Sequence, residues 1–419
     1  MLSKNYKKKS LLIKPSLLKG KITIPPSKSI SHRAIICASL SMEESKISNI
    51  VFSDDIRATI EGMKTLGADI KEADDFILVK RSNKILNNAI DCNESGSTLR
   101  FLIPLSLVLK DECTFKGKGR LNERPLDIYY EIFRKSNIDY ETNAGKLPLK
   151  IRGRLKGGFY KIPGNVSSQF ITGLFFSLPL LDVGSEIKII GEPESKNYIK
   201  LTLDVLKRYN VNIEKIDENN YYIKVAQKYK AFDYSIEGDF SQAAFFLAAN
   251  VLGCKIECLG LNYDSLQGDK EILNIAEKYS SPMEEITIDA SQIPDLVPVI
   301  SVLASLKENC TTKIINAGRL RFKESDRLEA TASEMKKLGA LIEETKNGLI
   351  INGKSSLYGN ATVDSHNDHR IAMALAIAAI KCDNPIVLEG YESVKKSYPK
   401  FWDDYQSLGG AIYELNDWK

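Results

Sequence analysis

One helical segment type, used six times, constrains this chain more than any other feature. Each copy opens on small or polar residues and then becomes apolar on most sides. The copies are SKSISHRAIICASL from Ser27, SGSTLRFLIPLSLVL from Ser95, SSQFITGLFFSLPLL from Ser167, DFSQAAFFLAANVLG from Asp239, IPDLVPVISVLASL from Ile293 and NDHRIAMALAIAAI from Asn367. Their starts lie 68, 72, 72, 54 and 74 residues apart. A second type, an amphipathic helix turning into a strand, is interleaved as MKTLGADI at Met63, FRKSNIDY at Phe133, LKRYNVNI at Leu206, MKKLGALI at Met335 and YQSLGGAI at Tyr405. The short fourth interval holds a degenerate copy around LNIAEKYSSPMEEI from Leu273. Alternating stretches such as DFILVK, YYIKVA and GLIING follow and read as strands.

A fixed period marks one supersecondary unit used repeatedly, here βαβαββ over about 70 residues. Helices that are apolar all round belong inside the structure, because they have no face to give to water. Pro104 and Pro298 predict a kink or a late start in two of them. Six units divide three and three near residues 227–239. The expected class is therefore α/β (α+β), with two similar lobes of buried inward helices and a cleft between them.

Composition limits the functional classes. With 43% hydrophobic and 27% charged residues, the 419-residue chain has material for sizeable cores. No apolar run reaches the 18 or so residues of a membrane helix, and the start lacks the apolar stretch of a signal peptide. No membrane association is expected, and the expected location is cytoplasmic. Six Lys and no acid in the first 19 residues read as a solvated terminus, and a net charge of +4 does not call for nucleic acid. Seven scattered cysteines without a C-x-x-C pair suit a reducing compartment; Cys254 and Cys258 in GCKIECLG read as part of a strand. Three His, with HNDH lacking the Glu of H-E-x-x-H, predict no metal site. A P-loop, a G-x-G-x-x-G after a strand and a G-x-S-x-G elbow are all missing, so no cofactor is expected.

The helix starts carry the chemistry. Ser, Thr, Gly, Asp and Asn there are good N-caps, but capping does not explain the cations beside them. Lys28 opens the first helix, Ser29 and Arg33 are four apart, and so are Gly96 and Arg100. Free N–H groups and the positive dipole end already attract anions, so extra cations at those points suit an anionic ligand. Arg124, Lys323, Arg327 and Lys396 precede second-type helices, and Arg370 opens the sixth first-type helix. These eight cations at repeat-equivalent edges predict a site for small, multiply anionic substrates; surface ion pairing is the competing reading for any one of them. Asp295 and Glu324 stand among them, with Glu324 and Lys323 placed on one helical face with Arg327 by their spacing. Two carboxylates whose ionisation is set by burial and bound anions are enough for acid–base chemistry.

The motifs PPSKSISHRA, SGSTLRFL, NERPLD, SSQF, SKNYI, IPDL, KESDRL, NDHRIAM and KKSYP, in this order from residue 25 to 400, resemble the 5-enolpyruvylshikimate-3-phosphate synthase family. The resemblance implies an enolpyruvyl transferase-like inverse α/β barrel in each lobe, with residues 1–20 and 237–419 forming the C-terminal lobe, residues 21–236 the N-terminal lobe, and the active site in the cleft. It implies transfer of the enolpyruvyl group of phosphoenolpyruvate to the 5-hydroxyl of shikimate 3-phosphate, with release of phosphate through a tetrahedral intermediate and no cofactor or metal. Shikimate 3-phosphate would meet Lys28, Ser29, Arg33, Ser167, Ser168, Gln169, Ser195, Tyr198, Asp295 and Lys323. Phosphoenolpyruvate would meet Lys28, Gly96, Arg124, Gln169, Arg327, Arg370 and Lys396. Asp295 would take the hydroxyl proton, Glu324 would protonate the methylene carbon, and Lys28 would move protons at the phosphate. A monomer is implied.

Three positions qualify the resemblance. Glu94 stands where many members have Asn, Phe101 follows the Gly96 helix start, and Arg319 replaces a substrate-binding Asn of some members. Gly96 implies room for the inhibitor glyphosate. The sister transferase acting on UDP-N-acetylglucosamine fits less well: Gly119 occupies the position of its loop cysteine. An RNA 3′-phosphate cyclase leaves the SSQ, NDHR and KESDR motifs unexplained, and an inactive sugar-phosphate binder leaves Lys28, Asp295 and Glu324 unexplained.

Overall fold

The computed structural model describes residues 9–82 and 87–415. Twelve α-helices among them form six pairs: α1 (Lys28–Leu40) and α2 (Asp54–Thr65), α3 (Gly96–Leu109) and α4 (Asp127–Ser136), α5 (Ser168–Ser177) and α6 (Lys196–Arg208), α7 (Phe240–Val251) and α8 (Ile272–Ser280), α9 (Val297–Ser305) and α10 (Arg327–Lys337), α11 (His369–Ala379) and α12 (Phe401–Ser407). The odd-numbered helices are the apolar type, and they are inside. Every residue of α9 and of α11 is buried. The even-numbered helices keep a wet face: α4 buries Ile128, Tyr129, Ile132 and Phe133 at i,i+4 spacing and exposes Asp127, Glu131 and Arg134.

The two prolines act differently. α9 starts late, at Val297, with Pro298 in its first turn after a 3₁₀ turn over Pro294–Leu296, where a missing N–H costs nothing. α3 instead runs on through Pro104. Proline cannot donate to the carbonyl four residues back; that carbonyl belongs to Arg100, and it accepts a hydrogen bond from Tyr129 Oη.

The chain forms two compact units, Met1–Pro25 with Gly238–Lys419, and Pro26–Glu237. Five four-stranded sheets share one pattern. In the sheet of Ala89–Asp91, Glu112–Lys116, Lys146–Arg152 and Asp139–Asn143, the first two strands are parallel and the remaining neighbours antiparallel. Two sheets borrow a strand from elsewhere in the chain. Ser10–Lys14 pairs with Ile386–Glu389 and Ala411–Leu415, and Tyr234–Ser235 pairs with Ser45–Ser48. The degenerate repeat keeps a two-stranded parallel sheet of Lys19–Thr23 and Lys255–Leu259, and α8 leads straight to Glu285–Asp289, which opens the next repeat. The sheets are open, and each core is built from the buried helices together with the inward faces of the strands.

Two expectations change here. Lys19–Thr23 runs across the boundary expected at residue 20, because its partner strand lies in the unit that begins again at Gly238. The basic start is not wholly a solvated tail: Leu11 and Ile13 alternate into the core of the strand Ser10–Lys14, while Lys4, Lys7 and Lys8 lie outside the described residues. Cys254 is buried and accepts the amide of Leu18 next to the strand Lys255–Leu259, and all seven cysteines are free thiols.

Candidate active site

Each unit gathers its own cluster of the predicted residues. In the unit Pro26–Glu237, the starts of α1, α3, α5 and α6 supply them. Lys28 Nζ lies 2.8 Å from Asp55 Oδ2 in the first turn of α2. Arg33 is buried and ties α1 to α6: Nε donates to Thr202 Oγ1 at 2.8 Å, Nη1 to the Ser29 carbonyl at 2.7 Å and Nη2 to the Tyr198 carbonyl at 3.3 Å. Burial lowers this guanidinium to about 10. It also lies over the rings of Phe101 and Tyr198.

At the α3 start Ser95 caps the helix by accepting the Thr98 amide, and Gly96 lies so close to the Arg124 guanidinium that a Cβ there would make Nη1 shift. Arg124 follows a 3₁₀ turn over Gly119–Glu123 and is nearly buried. Arg100 donates to Gln169 Oε1 at 2.7 Å, and Gln169 Nε2 donates to Ser97 Oγ at 2.9 Å, so α3 and α5 present one hydrogen-bonded edge. Ser167 caps α5 and Ser168 is buried in its first turn. Ser195 precedes α6 in the left-handed region, at φ 56°, a conformation unusual for a residue with a side chain. Phe101 is buried against Phe176 and His32, with its ring under the Arg33 guanidinium. The Glu94 carboxylate lies against the Cα of Gly119, where a Cβ would come within 2.9 Å of Oε2.

In the other unit cations and carboxylates interleave: Arg327 stands among three carboxylates, and one of these, Asp295, itself stands among three cations, Arg327, Arg370 and Lys323. Arg327 opens α10 with its side chain 1% exposed. Its Nε and Nη2 hold Asp368 at 2.7 and 3.3 Å, its Nη1 holds Asp295 Oδ1 at 2.7 Å, and its Nη2 holds Glu324 Oε2 at 2.6 Å. Four of the five guanidinium N–H groups thus meet protein carboxylates. Burial disfavours the charge, but Asp368, Glu324 and Asp295 together raise the guanidinium above its ordinary value. Lys323 and Glu324 precede α10 rather than lying on its face, Lys323 being extended at the end of a 3₁₀ turn; the Glu324–Arg327 pair therefore forms across a loop, not along a helix.

Asp295 gathers the remaining cations. Arg370 Nη2 lies 3.2 Å from Oδ2 and Lys323 Nζ 3.5 Å from Oδ1. Burial pushes this carboxyl up, but Arg370, Lys323 and Arg327 outweigh it and hold it well below the usual carboxylate range. Lys323 is lowered to about 8 by burial, with Arg327 and Arg319 adding to the shift and Asp295 opposing it. Lys396, also buried, donates to the Asn367 carbonyl at 2.6 Å. Arg319 Nη2 donates to the Ser291 carbonyl at 2.6 Å.

Sequence reasoning missed several members. Asp368 is fully buried, caps α11 and takes Arg327; the Asp of NDHR signalled only a cap. Asp55 and Thr202, which hold Lys28 and Arg33, had no motif to mark them. Asp269 is also buried, accepts Ser241 Oγ, and is pushed up to about 6 by burial and the charge of Asp295 against the pull of Arg370. Among the described residues, no group of three His, Cys, Asp or Glu is placed to hold a metal ion, and no helix is long and apolar enough to cross a membrane.

The architecture is that of solved EPSP synthases. One from Acinetobacter baumannii superposes with a TM-score of 0.81 at 22% identity, covering 97% of this chain and 100% of that one, a likeness that defines the fold alone. The sequence carries the assignment further. A model of the family EPSP synthase (3-phosphoshikimate 1-carboxyvinyltransferase) matches residues 12–405. A 3-phosphoshikimate 1-carboxyvinyltransferase of Clostridium acetobutylicum is 51% identical over 96% of this chain and 98% of its own length; one of Clostridium perfringens is 50% identical over 97% and 100%. The chain belongs to the EPSP synthase family.

Proposed function

We propose that the chain transfers the enolpyruvyl group of phosphoenolpyruvate to the 5-hydroxyl of shikimate 3-phosphate and releases phosphate, on the route to chorismate and aromatic amino acids. Family membership over residues 12–405 and relatives of this name at about half identity support the reaction. Shikimate 3-phosphate is bound by Lys28, Ser29, Arg33, Ser167, Ser168, Gln169, Ser195, Tyr198, Asp295 and Lys323. Arg33 has five N–H groups, more than the three its protein partners take. Phosphoenolpyruvate is bound by Lys28, Gly96, Arg124, Gln169, Arg327, Arg370 and Lys396.

One observation supports the catalytic roles best: a single buried guanidinium, Arg327, joins Asp295 to Glu324. Asp295 is ionised and accepts the proton of the attacking hydroxyl. It is a weak base while three cations face it alone; a bound phosphate or carboxylate offsets those cations and raises its basicity. Glu324 delivers a proton to the methylene carbon, which makes the adjacent carbon electrophilic. The hydroxyl oxygen adds there; in the tetrahedral intermediate the carbon–oxygen bond to phosphate then breaks as the Glu324 carboxylate takes a proton back from the newly formed methyl group and the C=C double bond re-forms. Lys28, paired with Asp55, assists proton movement at the departing phosphate. Gly96, with no Cβ to displace Arg124, supports inhibition by glyphosate.

The test is release of inorganic phosphate from the two substrates by wild type, Asp295→Ala and Glu324→Ala. Release that needs both substrates and falls by about 10²–10⁴-fold in each variant is expected. Binding of shikimate 3-phosphate without phosphate release by the wild type would sink the reaction. We also propose a cytoplasmic monomer. Seven free thiols suit a reducing compartment, the monomer rests on the family resemblance, and a dimeric mass by light scattering would overturn it.

A further inference from the structure

Beside the Arg327 cluster, residues 364–368 make a turn that the proposed reaction does not use directly. His366 and Asn367 are consecutive left-handed residues, at φ 50° and 54°. Neither is glycine, and two such residues in a row persist only where the surroundings hold them. The main chain is held first by its own neighbours. His366 N donates to Asp364 Oδ1 at 2.7 Å, Asn367 N to Ser365 Oγ at 3.2 Å, and Asp368 N to the Ser365 carbonyl at 2.9 Å. Ser365 Oγ in turn donates to the Gly390 carbonyl at 2.9 Å.

The second hold comes from α10. Glu334 lies two turns after Arg327, so both point from one face of the helix, and both are buried. Arg327 grips Asp368 at one end of the turn. Glu334 grips the other end: Oε2 accepts the Asp364 amide at 2.9 Å, and Oε1 lies 2.8 Å from His366 Nε2. Lys337 Nζ completes the set at 2.8 Å from Oε2. Between the two grips stands the Asn367 carbonyl, which receives Lys396.

We infer that Glu334 and His366 are positioning residues: their contact braces the 364–368 turn and thereby sets Lys396 and Arg327 for the anion of phosphoenolpyruvate. The inference rests on the reading above that Lys396 and Arg327 meet that substrate. The ionic character of the brace follows from its surroundings. Burial would raise the Glu334 carboxyl, but His366, Lys337 and the Asp364 amide bring it down to about 2. His366 is raised above the ordinary imidazole value by its hydrogen bond to Glu334, against some burial, with the charges of Glu334, Asp364 and Glu329 adding to the effect. Below that raised value the contact is imidazolium on carboxylate. Above it the imidazole is neutral, the charge attraction to Glu334 is lost, only a neutral N–H contact of the kind an amide also makes remains, and the turn is held less firmly.

The experiment is the pH profile of KM for phosphoenolpyruvate between about pH 6 and 9 in wild type, His366→Gln and His366→Leu. In the wild type KM rises as His366 loses its proton. In His366→Gln the amide still donates but does not titrate, so that rise disappears. In His366→Leu KM is raised on the order of tenfold at every pH, while kcat at saturating phosphoenolpyruvate and KM for shikimate 3-phosphate stay near wild type. NMR titration of the His366 ring gives a second readout, in which Glu334→Gln lowers the imidazole pKa. Variants that lose thermal stability but keep the wild-type KM profile would overturn the brace. Lys396→Met separates the two readings. If it leaves KM for phosphoenolpyruvate unchanged, the placement of that substrate fails; if it raises KM while His366→Leu does not, the brace alone fails.

Discussion

The two clusters hold their arginines by different means. In the unit Pro26–Glu237, Arg33 is oriented by neutral groups: a threonine hydroxyl and two main-chain carbonyls. In the other unit, Arg327 and Arg370 are oriented by carboxylates: Asp295, Glu324 and Asp368. A neutral partner fixes direction and leaves the positive charge for a ligand. A carboxylate partner fixes direction and compensates the charge, while keeping proton acceptors next to the place where substrate would bind. The first arrangement suits recognition of anions, and the second suits proton transfer beside them.

The largest consequence falls on Asp368. Asp368→Ala removes a carboxylate that is 0% exposed and leaves Arg327 buried with two of its contacts gone. Breaking a buried pair in this way costs about 3–5 kcal/mol, to be read from chemical unfolding. Thr202→Val probes the neutral design, since it leaves the buried Arg33 Nε without its acceptor. A loss of about 1–3 kcal/mol is expected. If Thr202→Val proved costlier than Asp368→Ala, the distinction between the two clusters would not hold.

The smallest effect is on pH dependence. Lys323, lowered to about 8, is cationic below that pH and neutral above it. Its attraction for shikimate 3-phosphate is therefore full below about pH 8 and lost as pH rises beyond it. The profile of kcat/KM for shikimate 3-phosphate should bend downward there, approaching tenfold per pH unit, about 1.4 kcal/mol. Lys323→Arg, which does not deprotonate in this range, should move the bend to higher pH. A bend that stays in place would assign it to another group.

Much of this was legible in the chain itself. The spacing of Ser27, Ser95, Ser167, Asp239 and Asn367 marked five of the six inward helices, and Pro298 marked the late start of α9. These are local properties: whether a segment is apolar on every side, and whether a proline interrupts it, depends on neighbours a few residues away. Lys28, Gly96, Arg124, Arg327 and Arg370 were readable for the same reason, as cations or gaps at helix starts. The partners of those residues were not. Arg327 meets Asp368 across 41 residues and Arg33 meets Thr202 across 169, and in sequence Asp368 is one helix cap among several. Phe101 stands beside Arg100 in the chain but points into the core, because α3 turns it by one residue.

The sequence by itself determined the number of repeats, which helices are buried and which helix ends carry charge, since hydrophobic period and end chemistry are written within single segments. Only the tertiary structure decided that Ser10–Lys14 completes a sheet with Ile386–Glu389, and that three carboxylates from three segments converge on Arg327. Those outcomes depend on which surfaces meet when the repeats pack, and the ionisation of Asp295, Lys323 and Glu334 follows from the burial and neighbouring charges that this packing creates.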